Sequence, residues 1–177
     1  MTRVITVNRA PVITLWAAVV AHRLGFDWQE ALTLGHAVCG LNAYSKGVSL
    51  GLFTPAPKSV KERKAKLKEG AKLHVDLLQR AVPVMRTPDG LRAVSKGRPV
   101  DPASVARYLE QKFGDGLDDA KAAMTALARS LRPEKLGVEA YRLYVAFRPE
   151  VPAGTRGWGA RGKLDLRRIG ALAAGAD

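Results

Sequence analysis

Apolar positions in the first fifty residues recur at helical spacing. Pro11 suits the first turn of a helix, and Leu15, Ala18, Val19 and Val20 form one face of a helix from about Val12 to Leu24, which Gly25 ends. Asp27, with Glu30 three residues later, has the capping-box spacing in its Asp form. It opens a second helix from Trp28 to about Tyr44 that buries Ala31, Leu34, Ala37, Val38 and Leu41. Ser45-Lys46-Gly47 is expected to close this helix through a left-handed glycine. Val48 to Pro57, broken by Gly51 and two prolines, reads as a linker or a short extended passage.

Lys58 to Lys68 has few apolar residues and good helix formers, so one or two solvated helical turns are expected there, ending at Gly70. From Lys72 the period changes to two, with Leu73, Val75 and Leu77 alternating with Lys72, His74 and Asp76. A second extended run covers Ala81 to Arg86, where Pro83 is expected to confine it to an edge or a strand start. Thr87-Pro88-Asp89-Gly90 is a strong turn signal, and Leu91 to Ser95 returns as a third strand. Three short strands at most are expected, and no other sheet.

Asp101 as N-cap with Pro102 at the first helical position opens a helix to about Phe113. Another starts at Leu117 or Asp118, runs through Ala123, Met124, Leu127 and Leu131, and ends at Pro133. A further helix from Glu134 to about Phe147 carries Leu136, Tyr141, Leu143 and Tyr144, and Pro149 stops it. Pro152 to Lys163 holds five Gly or Pro residues among twelve and reads as a loop, after which Leu164 to Leu172 resumes a short amphipathic helix. The fold class is therefore α+β and mainly helical, with an N-terminal helical hairpin and a small antiparallel β-hairpin or three-stranded sheet in the middle. Residues 1–57, 58–150 and 151–177 differ in character but are expected to form one compact domain.

Composition narrows the class. Of 177 residues 47% are apolar and 25% charged, which is neither a disordered nor a membranous balance. The single cysteine, Cys39, excludes an internal disulfide and a Cys-pair zinc site, and it fits a reducing, cytoplasmic setting. Ala10 to Ala21 follows Arg3 and Arg9 and imitates a short signal peptide. The run is too short to span a bilayer, however, and its pattern continues into His22-Arg23-Leu24, so a buried first helix is the expected reading.

The net charge of +13 is unevenly spread. Residues 58–98 carry twelve basic and four acidic residues, whereas residues 99–150 carry eight of each. A concentrated excess makes a positive field that recruits polyanions. In a helix Lys61, Lys64, Lys68 and Lys72 share one side, beside Lys58, Arg63 and Lys66 and near Arg86, Arg92, Lys96 and Arg98 of the expected hairpin. The tail loop adds Arg156, Trp158, Arg161 and Lys163 among glycines, a composition in which an indole stacks on an unpaired base while the cations track phosphates. The competing expectations are a solvated charged face for the stripe and a core plug for Trp158.

Other constellations are weaker. The first hairpin fits helix-turn-helix spacing, but its second helix offers Gln29, Thr33, His36 and Asn42 with no basic residue before Lys46, a poor set for anchoring on phosphates. His22, His36 and His74 have no metal spacing, Cys39 reads as a small buried side chain, and Asp118 with Asp119 suits a helix start. No catalytic constellation, metal site or cofactor motif is present in the sequence. The expected function is that of a non-enzymatic accessory protein that binds DNA or RNA through phosphates. The alternatives are a regulatory subunit docking on an acidic protein partner and, less favoured, an enzyme acting on an anionic substrate.

Overall fold

The computed structural model describes residues 4–49, 73–95, 97–150 and 161–175. Its order is β1 (Val4–Asn8), α1 (Arg9–Arg23), α2 (Trp28–Ser49), β2 (Leu73–Leu77), β3 (Arg80–Thr87), β4 (Gly90–Ser95) and β5 (Arg98–Pro99). Then follow α3 (Pro102–Phe113), a 3-10 turn (Gly114–Gly116), α4 (Leu117–Arg129), α5 (Pro133–Phe147), β6 (Arg161–Asp165) and α6 (Leu166–Ala174). The α+β class holds, with helices dominant, the N-terminal helix pair present and the sheets antiparallel.

Helix α1 is the centre of the molecule. Every residue from Pro11 to Ala21 is buried, so it is wrapped all round rather than on the single face that its spacing suggested. Trp16 donates from Nε1 to Ala140 O at 2.9 Å and meets the Phe147 ring edge-on at 5.3 Å, which ties α1 to α5. Gly35 lets α2 lie directly on α1. A methyl group there would run into Thr14 O and stand 3.1 Å from Ala18 N, so only glycine fits the crossing without a shift.

Between the two helices Gly25 adopts φ +120°, as a helix-ending glycine should. The capping box forms as its spacing implies: Glu30 N donates to Asp27 Oδ1 (2.8 Å) and Asp27 N to Glu30 Oε1 (3.0 Å). Helix α2 does not stop at Gly47, contrary to expectation, but runs to Ser49. Glycine permits a left-handed stop without imposing one, and its cost inside a helix is only about 1 kcal/mol.

The central sheet has the order β2-β3-β4-β5, one strand more than the periodicity suggested. Arg98–Pro99 is too short for a period to register. Pro83 is not on an edge strand, since β3 pairs with both β2 and β4. In a two-residue hairpin closed at Thr87↔Gly90, hydrogen-bonded pairs recur every second residue, so the N–H that Pro83 lacks would have faced β4. The β3–β4 ladder ends one residue earlier, at Val84↔Ala93, and Val94 pairs with Pro99 instead. The proline thus ends a ladder from the centre of the sheet. The β2–β3 hairpin turns through Leu78 (φ 48°) and Gln79 (φ 64°), the positive pair that Asn-Gly usually supplies. Each such residue costs on the order of 1–2 kcal/mol. Leu78 offsets this by burying its side chain in the core.

A second sheet, β1 with β6, was not expected. Val4 to Asn8 alternates exposed and buried and pairs antiparallel with Arg161–Asp165. Arg161, Lys163 and Leu164 therefore belong to a strand rather than to a loop and helix, and α6 begins at Leu166 with Asp165 as its N-cap. Ile5, Val7 and Leu164 enter the same core as α1. Among the described residues no helix is long and apolar enough to cross a membrane.

Candidate functional site

The segment 58–72, Lys96 and residues 151–160 lie outside the described residues, and with them Lys58, Lys61, Arg63, Lys64, Lys66, Lys68, Lys72, Arg156 and Trp158. Of the remaining sequence candidates, Arg86 and Arg98 are exposed. Arg86 stands opposite Leu91 and Arg98 opposite Ser95, so alternation along β4 puts both on one side of the sheet. They stand beside opposite ends of β4, roughly 13 Å apart along the strand direction. Arg92 points to the other side and is 8% exposed. Its guanidinium donates to Leu91 O (2.9 Å) and Asp89 O (3.3 Å), fastening the 87–90 turn. Lys163 is exposed on β6, in a different sheet from the three arginines.

The helix-turn-helix candidates also separate. Gln29 and His36 are exposed, but Thr33 is buried. Its hydroxyl donates to Glu30 O (2.9 Å) and accepts from Ala93 N (3.0 Å), so it holds α2 to β4 and is withdrawn from any surface. Cys39 is partly buried, and desolvation pushes its thiol up, away from the reactive thiolate. His22 spends its Nδ1 proton on Phe26 O at 3.0 Å, since a carbonyl can only accept. Among the described residues no group of three His, Cys, Asp or Glu side chains could hold a metal ion.

A cationic cleft that the sequence reading missed lies where the end of α1 and the start of α2 meet α4. It encloses about 460 Å³ and is lined by Val19, His22, Arg23, Trp28, Lys121, Thr125, Ala128 and Arg129. Lys121, Thr125 and Arg129 come from successive turns of α4, so one stripe of that helix forms a wall. The opposite wall is built by the last turn of α1 and the Trp28 ring. Lys121 Nζ sits 3.9 Å from the centre of that ring, and His22 meets it edge-on at 5.7 Å. A cation held over indole is fixed by about 0.5–2 kcal/mol, so the ammonium has a defined station in the cleft.

Arg23 is the most constrained member. It donates from Nη2 to Leu131 O at 3.2 Å, which satisfies a carbonyl just beyond the end of α4. Its Nε is buried with no hydrogen-bond partner. A second depression of about 390 Å³ adjoins along α4, bordered by Asp118, Ala122 and Ala126 and sharing Lys121, Thr125 and Arg129. Among the described residues no ion pair engages Arg23, Lys121 or Arg129. The period-four stripe 121, 125, 129 is legible in the sequence, but nothing there says that α1 and Trp28 face it. Comparison with protein families, with curated proteins and with solved structures finds no match to this chain.

Proposed function

We propose that the protein is a cytoplasmic, non-enzymatic nucleic-acid-binding accessory protein that contacts phosphates through its basic middle segment. The observation that carries this reading is the placement of charge: residues 58–98 supply twelve of the 29 basic residues and only four of the 16 acidic ones. Such a concentration is costly in self-repulsion unless a polyanion neutralises it. Exposed Arg86 and Arg98, neither in an ion pair among the described residues, support it from the sheet. Because they stand beside opposite ends of β4, they suit a backbone tracked over some length better than a compact anion. Lone arginines so placed read phosphate, not bases.

The test is a titration of duplex and single-stranded DNA and RNA at several salt concentrations. Neutralising about five to seven phosphates gives a slope of log affinity on log salt of roughly −4 to −6. A flat response, or binding to an acidic protein with none to nucleic acid, overturns the reading in favour of a regulatory subunit.

A further inference from the structure

We propose that the cleft between α1, the start of α2 and α4 is a binding site for an organic phosphate monoester, either a free mononucleotide or the 5′-terminal nucleotide of a strand. The inference stands apart from the basic middle segment, with which it shares no residue.

Charge defines the class of ligand. Arg23, Lys121 and Arg129 bring three full positive charges to one cleft. The ordinary reason for such residues is helix capping, and Arg23 and Arg129 do lie in the last turns of α1 and α4. Each helix end carries only about half a negative charge, so two ends offset roughly one of the three. The remainder, about two positive charges, matches a dianionic monoester better than the single charge of a phosphodiester. Asp118 lies outside this cleft but borders the adjoining depression, which shares Lys121 and Arg129, so it offsets part of that charge.

Hydrogen bonding points the same way. The buried Arg23 Nε–H lacks a partner, and leaving such a donor unsatisfied costs about 1–3 kcal/mol. That donor is sealed inside the protein, so an acceptor in the cleft meets Arg23 at its remaining atoms, with the guanidinium held in place by Nη2 on Leu131 O. A phosphate oxygen is a strong one, and the Thr125 hydroxyl and the Lys121 ammonium line the same space. The half-buried Trp28 ring, with Lys121 over it, supplies the main apolar surface, since Val19 and Ala128 are almost fully buried, and about 460 Å³ falls within the range typical of small-molecule sites, roughly 300–1,000 Å³. A bare phosphate would leave this surface unused. An attached ribose and base would cover it.

The experiment uses the full chain and follows indole fluorescence, with Trp28→Phe as the control that assigns the signal. Adenosine monophosphate, inorganic phosphate and adenosine are titrated in turn, followed by one oligonucleotide with a 5′-phosphate and its 5′-hydroxyl twin. The expected order is monophosphate over inorganic phosphate, with adenosine silent. Lys121→Gln with Arg129→Gln, both on the α4 wall, is expected to weaken monophosphate binding by about tenfold or more, while the melting temperature falls by no more than the few degrees that the lost cation–π contact accounts for. If the 5′-phosphorylated strand outcompetes its twin and the double variant erases that advantage, the occupant is a strand end. If only the monophosphate responds, it is a free nucleotide. Binding of the 5′-hydroxyl strand that the double variant leaves unchanged reports the basic middle alone. The proposal is overturned if monophosphate does not bind by about 10 mM, if adenosine binds equally well, or if the double variant binds as the parent does.

Discussion

The Glu30 carboxylate accepts a hydrogen bond from Leu91 N at 2.9 Å, sixty-one residues further along the chain, while its other oxygen closes the capping box on Asp27 N. One side chain thus starts α2 and stitches it to the open edge of β4. Thr33 repeats the stitch one turn later at Ala93 N, and Val100 N fills Ala93 O. An edge that would invite a foreign strand is used up by side chains and by the short strand β5.

Glu30→Ala removes an acceptor for two backbone donors. We expect a loss of about 2–3 kcal/mol, the sum of a capping term near 1 and an unsatisfied part-buried N–H of 1–2. Equilibrium urea unfolding measures it. Glu30→Gln retains only one correctly oriented oxygen and falls between the two. A loss below about 0.5 kcal/mol for the alanine variant shows that water replaces the stitch.

Gly35→Ala forces a methyl group against the α1 backbone at Thr14 and Ala18. Helix propensity alone favours alanine by about 1 kcal/mol, and overpacking opposes it by about 1–3. Because the obstacle is backbone and cannot rotate aside, we expect net destabilisation. Thermal melting decides the sign. Gly40→Ala, whose added methyl meets nothing within 4 Å, is the matched control and is expected to be neutral or stabilising.

Two phenols make the fold sensitive to alkali. Burial pushes Tyr108 up to about 12 and drives Tyr144 up further, although Arg148 and Arg9 pull the latter back. A folded-state pKa above the unfolded value near 10 means that the native state retains protons which the unfolded chain releases. Stability from this source is complete below about pH 10 and falls as pH rises towards the folded values. Unfolding midpoints across pH 8 to 12, with tyrosinate absorbance read in parallel, test this. Tyrosines that all ionise together near pH 10 without unfolding contradict it.

Replacing Lys61, Lys64 and Lys68 together by Gln is expected to weaken nucleic-acid binding on all sequences alike and to shallow the salt slope by about 2–3. Stability should change by no more than about 0.5 kcal/mol per site. Unchanged binding with an unchanged slope would assign the stripe to solvation.

The capping residues Asp27 and Glu30, the Asp101-Pro102 helix start, the Thr87 to Gly90 turn and the break at Gly25 were legible from residue order alone. Each depends on interactions spanning a few residues, which local chemistry determines. The uneven charge is equally a property of composition. Other features required the tertiary structure. The alternation of Val4 to Asn8 is visible, yet its partner β6 lies more than 150 residues away, and a two-stranded ribbon has little stability until its core face is covered. Pro83 in a central strand and Leu78 and Gln79 at positive φ defy local preference, because packing outweighs the roughly 1–2 kcal/mol that such preferences are worth. The cleft shows the same division. The α4 sequence aligns Lys121, Thr125 and Arg129 on one stripe, but only the docking of α1 and Trp28 against that stripe turns three separate cations into one site.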